Sequence, residues 1–135
     1  MRKSQKQIAG EAAVHAWNWL CAKYEIRGAL MPPYYLSRVG RFPKYVQSRR
    51  RVRIATSRIR WATYIKKRVG AYANWIPCTI YESWTLQFVH EYTHAIQGDQ
   101  KRRYSEVETT RNEIAFAQEF FPHLFMKLAP IASGE

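Results

Sequence analysis

One hundred and thirty-five residues, 47% of them apolar and 15% aromatic, suffice for one folded domain over 1–135 and exclude a disordered or low-complexity chain. Lysine and arginine total 22 against 10 acidic residues, a net charge of +12, so the partners such a chain attracts are anionic: nucleic acid, an anionic surface or an acidic protein. No apolar run approaches the ~20 residues of a membrane span, and the basic start leads into Ser4-Gln5-Lys6-Gln7 instead of an apolar leader, so a cytoplasmic protein is expected.

Residues 4–24 read as a helix with Ser4 as N-cap, because Ile8, Ala12, Ala13, Ala16, Trp17, Leu20 and Cys21 fall largely on one stripe. His15 lies on this helix without a partner pattern and reads as structural. Gly28, Pro32, Pro33, Gly40 and Pro43 then predict a stretch, 28–48, that is irregular or only briefly regular. From Arg51 to Ile65, apolar and polar residues alternate with a slip of phase near Ser57. This predicts two short strands, or one strand with a bulge or turn. Trp75–Tyr81 reads as a further extended piece, placed at a sheet edge by Pro77 and able to hold substrate backbone by strand addition.

Charge is unevenly spread over these elements. Between Ile26 and Tyr81 there is no acidic residue. Arg27 is followed by Arg38, Arg41, Lys44, Arg49, Arg50, Arg51, Arg53, Arg58, Arg60, Lys66, Lys67 and Arg68, a set that reads as a polyanion-binding region. Cys21 and Cys78 have no C-x-x-C spacing and read as buried free thiols of a reducing compartment.

The C-terminal half is more regular. Ser83 is the expected N-cap of a helix carrying Trp84, Leu86, Phe88, Val89, Tyr92, Ala95 and Ile96, with Gly98 at its end. After a basic loop, Ser105-Glu106-Val107-Glu108 has the form of a capping box opening a helix that Pro122 stops, and a fraying tail follows. The first of these helices contains His90-Glu91-Tyr92-Thr93-His94, an H-E-x-x-H motif. Residues four apart share a helix face, so both imidazoles reach one metal ion, while the Glu91 carboxylate beside them can take a proton from a water that the metal activates.

Two histidines leave a zinc site incomplete. A metzincin continuation fails, since no third histidine follows in Ala95–Gln100, and His123 lies beyond a helix-ending proline. The downstream carboxylates are Asp99, Glu106, Glu108, Glu113 and Glu119. Glu106 and Glu108 occupy a first helical turn, where acidic residues already serve the cap and the dipole. Glu113 is mid-helix beside Ile114, Ala115 and Phe116.

His90-Glu91-Tyr92-Thr93-His94 followed by Asn112-Glu113 resembles the gluzincin clan of zinc metallopeptidases, over roughly residues 83–121, and in size it resembles minigluzincins. The order of the upstream elements is similar, more weakly, to SprT-like proteases. The gluzincin resemblance implies an α+β, compact zincin-like domain: an N-terminal helix, a small twisted sheet, the H-E-x-x-H helix and a Glu-bearing helix. It implies Zn2+ held by His90, His94 and Glu113, Asn112 as the residue orienting the second histidine, and Glu91 as general base in hydrolysing a protein or peptide substrate. The Asp that some gluzincins place four residues after the ligand Glu is here Ala117, so His90 needs another orienting partner. Tyr104, Arg111 and His123 are candidate oxyanion donors. The competing expectation is a non-enzymatic basic nucleic-acid-binding protein, or an inactive zincin relative, using residues 38–68.

Overall fold

Ser4 and Gln7 exchange hydrogen bonds in a reciprocal cap that opens helix α1, Gln5–Lys23, in the computed structural model, which describes residues 2–38, 42–67 and 70–126 and, of residues 62–67, 70–75 and 126, the backbone alone. Ala9, Ala12, Ala13 and Ala16 are fully buried on one face of α1. Their small side chains let α1 lie close against the central helix, α2, Ile80–Asp99. Trp17 closes this interface edge-on to Tyr92, ring centroids 5.3 Å apart.

Helix α2 is buried on nearly every side: Trp84, Leu86, Phe88, Val89, Tyr92, Ala95 and Ile96 are 1% exposed or less. Its N-cap is Thr79, not the expected Ser83. Thr79 Oγ1 accepts from Glu82 N at 3.1 Å and Glu82 Oε1 accepts from Thr79 N at 2.9 Å, a T-x-x-E capping box that starts the helix one turn earlier. The Ser83 hydroxyl instead donates to the Arg58 carbonyl.

The strands are β1, Tyr34–Ser37; β2, Lys44–Val46; β3, Arg51–Ala55; β4, Arg60–Lys67; and β5, Gly70–Pro77. Of the two expected forms of the 51–65 segment, the pair of strands is the one adopted, with a turn at Ser57. Strand β3 is the centre of a three-stranded sheet in the order β1-β3-β2, parallel to β1 and antiparallel to β2. Thus the stretch expected to be irregular or only briefly regular supplies two short strands, which are recruited by the edges of β3 more than by any pattern of their own. Strands β4 and β5 form a separate antiparallel hairpin running from Lys67↔Gly70 to Arg60↔Pro77. Among the described residues β5 pairs with β4 alone, so Pro77 sits on an edge strand as expected. Thr79 to Tyr81 do not extend that strand; they cap and open α2.

Val52 and Ile54 point from β3 onto α2 and are fully buried. At the end of β3 the buried Gln87 amide accepts from Ala55 N at 2.9 Å and donates to Ala55 O at 3.1 Å, acting as a strand partner built from a helix side chain. Helix α3, Glu106–Phe120, crosses the other side of α2, and a turn of helix, α4, His123–Met126, follows Pro122. The expected fraying tail beyond 126 lies outside the described residues. Cys21 and Cys78 form no disulfide and are half-buried, less enclosed than expected. No helix among the described residues is long and apolar enough to cross a membrane.

Candidate metal centre

The middle of α2 presents His90 and His94 one turn apart, with ring centroids at 5.2 Å. His90, Glu91 and His94 bring ligating atoms within 4.8 Å of one another, a group that could hold a metal ion. Which nitrogen each histidine offers is settled by its neighbours. The Ser105 N–H can only donate, so it orients Gln97 Oε1 toward itself at 3.2 Å, and the same oxygen accepts from His94 Nδ1 at 2.9 Å. Gln97 Nε2 donates to Ser105 O and Glu108, so this buried amide is fully satisfied. On His90 it is the Glu113 carboxylate that accepts from Nδ1, at 2.8 Å. Both imidazoles therefore turn Nε2 toward the same point.

Glu113, expected as a ligand, thus meets His90 at the nitrogen facing away from that point. Glu106 is the carboxylate that faces it. From the exposed first turn of α3 its oxygens lie 2.5 Å from His94 Nε2 and 3.3 Å from His90 Nε2. Two nitrogen lone pairs and a carboxylate at these separations repel unless a cation stands among them. Two imidazoles and a carboxylate are a fitting donor set for a metal ion. In the metal-free protein a proton on the His90 ring supplies positive charge. Burial opposes its charge, but the hydrogen bond and charge of Glu113, with Glu91 and Glu106, outweigh burial and lift its pKa to about 9.

Glu91 is 4% exposed, and its nearer oxygen lies 3.9 Å from His90 Nε2, farther than Glu106. Burial raises its pKa to about 7, against the opposing charge of His90 and a hydrogen bond from the Tyr45 backbone N–H on β2. A carboxyl held there changes protonation near neutral pH, as a general base requires.

The remaining expected residues fall elsewhere. Asn112 is buried but donates to Tyr24 Oη at 2.9 Å and Thr93 Oγ1 at 3.0 Å; His94 is oriented by Gln97 instead. Three residues after His94 on a helix was the signal that could have found Gln97. Tyr104 packs its ring 5.1 Å from His94, but its hydroxyl lies against Gly98, where an added Cβ would stand 3.3 Å away. Arg111 is exposed on α3, and His123 Nε2 sits 2.5 Å from Glu82 Oε2 at the far end of α2. None of these three oxyanion candidates lines the cleft, a space of about 300 Å³ that His90 and Glu91 border together with Glu106, Arg58, Arg60 and Trp61. The strand beside it is the start of β4, not the expected Trp75–Tyr81 segment. Glu108, turned away toward Arg102, is held at about 2, chiefly by that guanidinium and also by Tyr24 and Gln97, against the effect of burial.

The basic region is ordered by the strand alternation. With Val52 and Ile54 inward, Arg51 and Arg53 face outward, and the register sets Tyr35 and Lys44 on either side of Arg53. The Arg51 guanidinium lies 4.3 Å over the Tyr35 ring. Arg38, Lys44 and Arg49 are exposed, whereas Arg50 is bound to Asp99 at 2.8 Å. Arg41 and Arg68 lie outside the described residues, and of Lys66 and Lys67 only the β4 backbone is described. The chain matches no protein-family model, and neither a curated protein nor a solved structure is significantly similar to it.

Proposed function

We propose that this protein is a zinc-dependent metallopeptidase in which His90, His94 and Glu106 hold the metal and Glu91 is the general base. The observation that carries this reading is the convergence of two Nε2 atoms and the Glu106 carboxylate, with both opposite nitrogens already occupied by Glu113 and Gln97. Bound zinc supplies Lewis acidity and brings water near neutral acidity, about pKa 7. Glu91, buried and beside the ligands, accepts a proton from the attacking water and delivers it to the departing amine. Glu113 and Gln97 keep the imidazoles in the ligating tautomer. The test is elemental analysis after zinc reconstitution, with hydrolysis of casein or a peptide library. About one equivalent per chain and metal-dependent cleavage are expected. Less than about a tenth of an equivalent, or the same metal content in His90→Ala, overturns the reading.

A second reading is favoured by one specific feature, the outer face of the β1-β3-β2 sheet. There Arg51 and Arg53 flank Tyr35, and Lys44 lies on the other side of Arg53. Cations beside a half-buried ring suit a single-stranded nucleic acid, whose phosphates the cations meet and whose bases stack on the guanidinium and ring. The test is binding of a labelled oligonucleotide, where affinity should fall more than about tenfold between about 50 and 200 mM salt. Binding that is absent at low salt, or unchanged in Arg51→Glu/Arg53→Glu, overturns it.

A further inference from the structure

The candidate metal centre occupies one end of its cleft, and the other end has the opposite charge. Glu91, Glu106 and Glu113 crowd the histidine end. Arg58 and Arg60 border the same space at the start of β4. Arg58 is fixed in two ways: its carbonyl accepts from the Ser83 hydroxyl, and its guanidinium lies 3.7 Å over the Phe42 ring. Arg60 is exposed and has no ion-pair partner among the described residues. The three nearby carboxylates lie against His90, and none of them forms an ion pair with Arg60.

Helix geometry gives the spacing between the two ends. Ser83, to which the Arg58 backbone is tied, precedes His90 by two turns, about 10 Å along the axis. An extended peptide covers that in about three residues. We propose that the cleft selects peptides bearing a carboxylate within three residues of the bond cleaved, bound by Arg60 with Arg58 beside it. This assignment rests on the metallopeptidase reading and adds its substrate class. The carboxylate is either an acidic side chain or the free C-terminus of a short substrate, since both offer the same two oxygens to a guanidinium.

The experiment measures binding apart from chemistry. Zinc-loaded Glu91→Gln protein is titrated with labelled peptides in which a single Glu, Gln or Lys is moved through three positions on either side of a fixed centre. Each peptide is made with a free and an amidated C-terminus. At one or two positions Glu should bind about tenfold tighter than Gln, with Lys weakest, and Arg60→Ala should erase the difference while still holding one zinc. If the C-terminus is the group recognised, amidation produces the loss and the Glu scan is flat. Equal binding of all peptides, no peptide binding, or a preference that survives both Arg60→Ala and Arg58→Ala overturns the proposal. Wild-type protein separates this from failure of the underlying reading: zinc-dependent cleavage indifferent to acidic residues removes the selectivity alone, whereas a chain that takes up no zinc removes the peptidase.

Discussion

Glu106 and Glu113 stand two turns apart on α3 and approach the same imidazole at opposite nitrogens, 3.3 Å from Nε2 and 2.8 Å from Nδ1. Their substitutions should therefore differ. Glu106→Ala removes a proposed ligand and should abolish stoichiometric zinc uptake. Glu113→Gln leaves the ligand set whole but weakens the orientation of His90, and should lower zinc affinity by about 10- to 100-fold. Competition with a chelating dye distinguishes the two. Glu91→Gln should keep zinc and fold while slowing hydrolysis by roughly 10²–10⁴-fold, read as kcat in a peptide assay. At this scale the sequence made His90, Glu91 and His94 plain, because their spacing puts the two imidazoles on one helix face with Glu91 beside it. It pointed to Glu113, whereas the carboxylate that faces both Nε2 atoms is Glu106. A carboxylate in a first turn already has a local reason to be there, and nothing local reveals that α3 approaches α2 at its start.

At the scale of elements, the helices are legible wherever a cap and a period agree. The structure moves the N-terminus of α2 by four residues because Thr79 and Glu82 form the reciprocal pair that Ser83 lacks. Strands β1 and β2 were not legible: three or four residues each carry too little alternation, and only pairing with β3 makes them regular. The packing of α1 on α2 and α3 carries its own pH dependence. His15 Nδ1 meets the Tyr81 hydroxyl at 2.7 Å, and the Phe116 and Phe120 rings lie 4.8 and 4.4 Å away. Burial lowers its pKa below the ordinary 6.5, against the charge of Glu119, while Lys3 and Glu11, paired with each other, border the same hollow. The neutral ring is therefore the one that packs. Below pH 6.5 the unfolded chain binds a proton that the folded one resists, so this contribution is present above 6.5 and is lost as the pH falls through the folded value. Thermal melts should show a fall in Tm on acidification from pH 7.5 to 5.5 that is shallower in His15→Phe. Equal slopes would remove His15 as the source.

Across the whole molecule, composition announced a basic protein with one domain's worth of core, and the structure divides the basic residues among distinct surroundings. Some form the outer sheet face, Arg50 closes on Asp99, and Arg58 and Arg60 border the cleft. That division depends on strand register, which composition does not contain. A metal held between α2 and α3 links the two helices. Ligand at about 100 times its dissociation constant should stabilise the fold by about 2.7 kcal/mol, seen as a rise in Tm reversed by chelation. Gln97 has a consequence of another kind. Through Ser105 and Glu108 it fastens the end of α2 to the start of α3, on the far side of the exposed Lys101, Arg102 and Arg103. Backbone continuity through that loop is then dispensable. Trypsin cutting there should give two fragments in denaturing gels that still migrate as one particle and still retain zinc, and the loop becomes a place where a foreign segment can be spliced in without displacing Glu106.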